Sequence, residues 1–138
     1  MKKIIIAFIC LVIVVGGVGF VLSSREVEVA EVIVKQVEAK KLANEEIIWN
    51  LLEARGLTLL EKIDVMMVLR CESKFSQWAI GVNSNGSIDT GIVQWNSQAH
   101  PEVSRECSFN VECAINKMVD LYKKDGNLNQ WVCSKVLK

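Results

Sequence analysis

An uncharged apolar run opens the chain directly after Met1-Lys2-Lys3. Residues 4–22 contain no charged side chain, and a helix of about 20 apolar residues is long enough to cross a bilayer. Two lysines before an apolar run are also typical of a secretory signal. The pattern therefore predicts that residues 1–24 are a membrane-anchoring hydrophobic helix or a signal peptide, and that the rest of the chain is exported.

Residues 25–43 fit two different periodicities. Val27 and the residues after it alternate with glutamates as in a strand, whereas Val34 and Val37 also fit one face of a helix. We interpret this segment as a stalk, or linker. It precedes a single domain over residues 44–138.

Two helices are predicted at the start of that domain. Asn44 is a candidate N-cap for a helix over residues 45–55, and Gly56 is a candidate stop. Residues 58–61 have the Thr-x-x-Glu spacing of a capping box, so a second helix should begin at Leu59. The second helix is apolar almost all round, which predicts burial on every side. Its apolar residues are Ile63, Val65, Met66, Met67, Val68 and Leu69.

The pattern changes to that of a β-hairpin over residues 80–96. Asn85-Gly86 is a two-residue turn signal, with Val82 before it and Ile88 after it. The second strand of this hairpin should carry Asp89.

A final amphipathic helix is predicted between the candidate cap Asn110 and the candidate stop Gly126. Its apolar face is formed by Val111, Ala114, Ile115, Met118 and Tyr122. Helices with one small hairpin make an α+β domain that is mainly α, with a buried central helix.

Composition and charge narrow the classes of partner. Of the 138 residues, 51% are hydrophobic and only 1 is proline, which excludes a disordered or collagen-like chain. The chain is formally neutral, but residues 44–138 carry ten Lys/Arg against twelve Asp/Glu, a net charge of −2. Because no basic stripe is available to neutralise phosphates, nucleic acid is not expected as a partner.

The cysteines agree with export. Cys10 lies inside the apolar run and is interpreted as a small hydrophobic residue. Zinc is disfavoured because there is no Cys-x-x-Cys pair and His100 is the single histidine. The sequence has neither a phosphate loop nor a dinucleotide-binding motif, so no cofactor is expected. The remaining cysteines predict two disulfides, with three possible pairings. They are Cys71, Cys107, Cys113 and Cys133.

Sequence spacing ranks these pairings. Cys107 and Cys113 are six residues apart at the entrance to the last helix, where a local bridge is easily formed. Cys71 paired with Cys133 would tie the C-terminal segment to the end of the buried helix. We rank this combination first, and a pairing of Cys71 with Cys107 second.

Two carboxylates lie in contrasting settings. Glu72 follows the apolar stretch 65–69, where burial should raise its pKa. Asp89 lies in the polar sequence NSNGSIDTG, where it should stay ionised. A protonated acid together with an ionised carboxylate, roughly 5–9 Å apart, is what the cleavage of a glycosidic bond requires.

The segment CESKFSQWAIGVNSNGSIDTGIVQWNS, residues 71–97, resembles the active-site segment of chicken-type lysozymes. It has their Glu-Ser-x-Phe, followed by Asn-x-x-Gly-Ser-x-Asp-x-Gly-Ile-x-Gln-x-Asn-Ser. It is also similar to lytic transglycosylases, whose Glu-Ser and Gly-Leu-x-Gln stand here as Glu72-Ser73 and Gly91-Ile92-Val93-Gln94. With two possible disulfides where chicken-type lysozymes have four, the domain resembles bacterial or phage-type members of the lysozyme-like superfamily.

The resemblance implies an enzyme that cleaves the β-1,4 bond between N-acetylmuramic acid and N-acetylglucosamine in peptidoglycan, as a hydrolase or as a lytic transglycosylase. Glu72 matches the general acid and Asp89 the second carboxylate. The alternative is a non-catalytic module of the same fold that binds glycan or docks on a secretion or pilus complex. Either function places the domain in the cell envelope, outside the cytoplasm. The expected substrate-binding residues are Ser73, Asn83, Gly91, Gln94, Trp95 and Asn96.

Overall fold

The structure is a computed structural model that describes residues 11–15, 18–22 and 24–137. The chain divides into two compact units, Met1–Lys40 and Lys41–Lys138.

In the first unit, strands β1 (Leu11–Val15) and β2 (Val18–Leu22) pair antiparallel, with Leu11 opposite Leu22. These strands correct the hydrophobic helix predicted for residues 4–22, whose other residues lie outside the described ranges. The physical reason is that residues with branched Cβ atoms favour extended backbone, and valine and isoleucine make up four of the five residues of β1, while two of the five residues of β2 are valine. None of the helices within the described ranges has the length and apolar character that a bilayer span requires.

Helix α1 (Ser24–Ala54) runs without a break through residues 25–43, the segment that fits both a strand and a helix in sequence. The N-cap predicted at Asn44 is therefore wrong, because Asn44 lies inside this helix. Its side chain is 5% exposed, and its Nδ2 donates to the carbonyl oxygen of Phe75 at 3.0 Å. The helix ends just before Gly56, whose φ of 73° suits the predicted stop.

Helix α2 (Leu59–Ser73) is the central helix of the second unit. The predicted capping box is present, since Thr58 N–H donates to Glu61 Oε2 at 2.7 Å and Glu61 N–H donates to Thr58 Oγ1. Burial on every side is wrong, because Ile63 and Met67 are 39% and 42% exposed. A domain of this size has too little chain to surround a central helix completely. The fully buried residues of α2 are Val65, Val68 and Leu69.

The small sheet contains β3 (Ile80–Val82), β4 (Ile88–Thr90) and β5 (Trp95–Asn96), in that order and all antiparallel. The predicted turn joins β3 to β4, and Gly86 has a φ of 81°. The third strand, β5, was not predicted, because two residues are too few to show an alternating pattern. The register places Asp89 opposite both Gly81 and Asn96.

Helices α3 (Arg105–Phe109) and α4 (Val111–Asp125) follow, and a 3₁₀ helix over Val132–Leu137 comes last. Asn110 caps α4 by accepting the N–H of Cys113 at 2.9 Å. Gly126, with a φ of 69°, ends α4 as predicted. The fold is α+β and mainly α, which confirms the predicted class. One core holds the second unit together, and its fully buried large residues include Ile48, Leu52, Leu69, Ile92, Ile115 and Met118.

Two disulfides staple the second unit. Cys71 is bonded to Cys133 and Cys107 to Cys113, which is the pairing ranked first from sequence. The long bridge spans 62 residues and ties the 3₁₀ helix to the end of α2. The short bridge joins α3 to α4.

Candidate active site

A cleft of about 450 Å³ lies where the end of α2, the sheet and the residues around the start of the 3₁₀ helix meet. Both predicted carboxylates, Glu72 and Asp89, line it. The remaining lining is mostly uncharged and rich in side-chain amides. Its amide residues are Asn83, Asn85, Gln94, Asn96 and Gln130, and its larger apolar residues are Trp131 and Val132.

Glu72 lies at the C-terminal end of α2 and is half-buried. Burial raises the pKa of the Glu72 carboxyl above its usual range, because the charged form loses contact with water. A hydrogen bond from the backbone N–H of Cys133 to Oε1, at 2.9 Å, works against this rise. The negative charge of Asp89 adds to it. The direction of the pKa shift and its main cause are those predicted from sequence.

Asp89 is held at both carboxylate oxygens by side-chain amides. Asn83 Nδ2 donates to Oδ2 at 2.9 Å, and Asn96 Nδ2 donates to Oδ1 at 2.7 Å. The same two nitrogens also donate to Ser87 Oγ, at 3.1 and 2.8 Å. Since Ser87 is 1% exposed, its hydroxyl is a buried acceptor that both amides share behind the carboxylate. We call these four residues the Asp89 network; it fixes the carboxylate's orientation toward the cleft.

Gln94 reaches the cleft from a turn with unusual backbone geometry. Its φ is 58°, in the left-handed region, and its Nε2 donates to Gly91 O at 2.8 Å and Ala79 O at 3.3 Å. A Cβ on Gly81 would lie 3.3 Å from Gln94 Oε1. Glycine at that position therefore makes room for the glutamine.

Two of the predicted substrate-binding residues, Ser73 and Gly91, lie behind the cleft and are not among the residues that line it. Ser73 is 8% exposed, and its hydroxyl donates to Ile92 O at 2.7 Å. Gly91 is buried with a φ of 75°, and a Cβ there would lie 1.7 Å from Ser108 O. Ser73 joins α2 to the turn after β4, and Gly91 allows that turn to approach α3 closely. Packing therefore accounts for these two residues of the motif.

Trp95 is also buried rather than available to stack on a sugar. It is 3% exposed, and its ring lies edge-on to Trp131 and His100, with centroids 5.7 and 4.9 Å apart. An indole in this position stabilises the core beneath the cleft.

Sequence reasoning missed several cleft residues. Ser87 had a usable signal, because it lies two residues before Asp89 and a strand places such residues on the same face. Gln130 and Val132 had none, since they reach the cleft only through folding of the C-terminal segment. Trp131 is 5% exposed and lines the cleft, and its Nε1 donates to Val93 O at 3.1 Å.

The arrangement has a definite chemical capacity. A half-buried carboxyl with a raised pKa can deliver a proton, and a fixed carboxylate in the same cleft can stabilise a developing positive charge. The surrounding amides can donate to and accept from neutral hydroxyl and acetamido groups. Within the described ranges, no three His, Cys, Asp or Glu side chains are grouped to hold a metal ion.

Residues 56–133, more than half of the chain, match the protein family described as lysozyme like domain. The matched range contains α2, the sheet, α3, α4 and every cleft-lining residue named above. The comparison with curated proteins finds no match.

Proposed function

We propose that this chain, which belongs to the lysozyme-like domain family, cleaves the β-1,4 bond between N-acetylmuramic acid and N-acetylglucosamine in peptidoglycan. Family membership supports a peptidoglycan-related function located outside the cytoplasm. The observation that favours catalysis is the pairing in one cleft of Glu72, whose pKa is raised by burial, with Asp89, which two amides orient.

Glu72 acts as the general acid. Its proton passes to the bridging oxygen while the glycosidic carbon–oxygen bond breaks, and the bonding electron pair leaves with that oxygen. Because Oε1 accepts the N–H of Cys133, the acidic proton is carried by Oε2. The raised pKa keeps this proton on the carboxyl closer to neutral pH than an exposed glutamate would allow.

Asp89 acts on the sugar carbon that loses the bond. Its carboxylate stabilises the oxocarbenium-like centre or bonds to it covalently. Water then attacks the same carbon while Glu72 removes its proton; any bond to Asp89 breaks, its electron pair returns to the carboxylate, and a reducing end results. If the 6-hydroxyl of the muramic acid attacks instead, the same proton transfer to Glu72 gives a 1,6-anhydro end.

The amide-rich lining supports a neutral sugar as the bound group. Asn85 and Gln130 are exposed, and both border the cleft beside the carboxylates. Trp131 and Val132 supply an apolar wall on the side of the 3₁₀ helix. Sugar rings have both polar edges and apolar faces, so a mixed surface of this kind suits them.

Product analysis by mass spectrometry tests the proposal. Purified peptidoglycan is incubated with the wild-type chain and, separately, with Glu72→Gln, which keeps the shape of the side chain but has no acidic proton. Wild type should release fragments with reducing ends (hydrolysis) or anhydro ends (transglycosylation), and Glu72→Gln neither. Binding of peptidoglycan without any released fragment would instead identify a non-catalytic glycan-binding module.

We also propose that residues 1–24 direct export, that residues 25–43 act as a spacer and that residues 44–138 act on the cell wall. N-terminal sequencing of the exported protein tests this division. A mature chain that begins after residue 23 or 24 indicates a cleaved signal, and an intact Met1 indicates a retained segment.

A further inference from the structure

Cys133 makes one covalent bond and one hydrogen bond to two consecutive residues at the end of α2. Its sulfur is bonded to Cys71, and its backbone N–H donates to Oε1 of the next residue, Glu72, at 2.9 Å. The disulfide and the hydrogen bond therefore close a small ring through the backbone that joins Cys71 to Glu72. Any movement of Cys133 away from α2 breaks the hydrogen bond to the carboxyl.

We propose that the Cys71–Cys133 disulfide is a positioning element for the general acid: it holds the C-terminal segment against the Glu72 carboxyl and fixes which oxygen faces the substrate. This inference rests on the proposed function, because it assigns Glu72 the role of acid. The two cysteines are positioning residues, and Glu72 is the catalytic residue through which they act.

The 3₁₀ helix is held on α2 through partly buried residues, and Cys133 and Leu137 pack against the core. It contains no buried residue, and Val132 is 74% exposed. Trp131, just before it, is anchored in the core by its bond to Val93. Beyond Trp131, the bridge at Cys133 is the covalent link that keeps the segment on α2.

The second bridge provides a matched control. Cys107 and Cys113 are six residues apart, and their bond joins α3 to α4. Neither residue lines the cleft. Loss of this bridge removes one disulfide from the same domain while leaving Cys133 in contact with Glu72.

Electrostatics give the direction of the expected change. The larger influence on Glu72 is burial, which raises its pKa, and the smaller is the Cys133 N–H, which lowers it. Release of the segment removes the hydrogen bond and reduces the burial, and because burial has the larger effect, the pKa of Glu72 should fall toward its usual value. Asp89 on β4 is the charged group whose charge acts on Glu72. Lys135, the charged residue on the described part of the 3₁₀ helix, is exposed.

The test compares the pH dependence of peptidoglycan cleavage in two double variants. Cys71→Ser with Cys133→Ser should move the alkaline limb of kcat/KM to lower pH and lower kcat more than it changes KM. At pH values above the limb, kcat/KM of this variant should be lower than that of wild type by about tenfold for each pH unit by which the limb has moved. Cys107→Ser with Cys113→Ser should keep the limb at its wild-type position. An unmoved limb in the first variant, or equal movement in both, would overturn the proposal.

A measurement on the wild-type chain keeps the test decisive if the first variant does not fold. The backbone amide proton of Cys133, followed by NMR, should shift as Glu72 titrates. The amide of Cys113, which donates to Asn110, should not follow the same curve. A Cys133 amide proton whose chemical shift does not change as Glu72 titrates would overturn the positioning role. This readout needs no enzymatic activity, so failure of the inference is distinguishable from failure of the proposed function.

Discussion

Asn96 stands directly opposite Asp89 on neighbouring strands, and its Nδ2 donates to Asp89 Oδ1 at 2.7 Å. The backbone pairing of β4 with β5 thus sets the distance between carboxylate and amide. Ser87 accepts from the same Nδ2 at 2.8 Å, so a buried hydroxyl fixes the amide from behind. A carboxylate oriented by strand register is held more rigidly than one on a free loop.

Asn96→Asp should damage the Asp89 network without changing its shape. The new carboxylate keeps an oxygen for the N–H groups of Gln98 and Ala99, but it removes the donor to Asp89 and adds a like charge. We expect a loss of about 1–3 kcal/mol in the free energy of unfolding at pH 7. The loss should shrink in acid, where protonation of one carboxylate relieves the repulsion.

Urea unfolding at pH 7 and in acid measures the effect. Gln98→Glu is the matched control, because it adds the same charge two residues away at an exposed position. It should change stability by less than about 0.5 kcal/mol. Equal effects of the two substitutions would show that Asp89 does not depend on the Asn96 donor.

Gly91→Ala should destabilise the domain strongly, because the added Cβ would lie 1.7 Å from the backbone oxygen of Ser108. Gly86→Ala separates this clash from backbone strain. Gly86 has a similar φ of 81°, but nothing lies within 4 Å of its Cβ position. Thermal unfolding should show a cost of about 1–2 kcal/mol for Gly86→Ala, and clearly more for Gly91→Ala. Similar costs would mean that the approach to Ser108 is not tight in solution.

Ser73→Ala should affect folding rather than substrate binding. The hydroxyl of Ser73 donates to Ile92 O, and the residue is 8% exposed. Removing it should cost about 1 kcal/mol of stability and leave KM unchanged. Chemical denaturation and steady-state kinetics measure the two quantities. A several-fold increase in KM at unchanged stability would restore Ser73 to the substrate site.

Glu72→Gln should stabilise the folded chain at neutral pH. The pKa of Glu72 is raised in the folded state, so the folded state binds the proton more tightly than the unfolded state does. The corresponding stability is present below the unfolded pKa and is lost as pH rises through the folded pKa. An uncharged glutamine avoids that loss, and its Oε1 still accepts from Cys133.

Melting temperatures across the acid-to-neutral range test this prediction. The advantage of Glu72→Gln over wild type should be greatest at neutral pH and should disappear in acid. Glu46→Gln, at an exposed position of α1, serves as the control. A Glu72→Gln chain that is less stable than wild type at neutral pH would contradict the burial of a charged carboxylate at this position.

Elements with local signals were predictable from the sequence. The capping box at Thr58 placed the start of α2, Asn85-Gly86 placed the hairpin turn, and Asn110 with Gly126 bounded α4. In each case, the contacts that begin or end the element join residues a few positions apart in the sequence. The candidate carboxylates, Glu72 and Asp89, were predicted from their contrasting settings within one short segment and from the family resemblance that this segment carries.

Features that depend on distant contacts were not predictable. Asn44 has the sequence of a cap, but its partner, Phe75, is 31 residues away. The apolar run over residues 4–22 has the length of a helix, while its β-branched composition favours the strands described within it. The hydrogen bond from the Cys133 N–H to Glu72 joins residues 61 positions apart, so it forms only when the C-terminal segment has packed on α2.

A peptidoglycan zymogram of wild type and Glu72→Gln, repeated between about pH 4 and pH 8, measures Glu72-dependent cleavage of the glycan most directly. Wild type should clear the substrate and lose activity toward the alkaline end, where Glu72 no longer carries its proton. Glu72→Gln should leave the substrate intact at every pH. Equal clearing by the two chains, or no clearing by either, would contradict Glu72-dependent cleavage of the glycan.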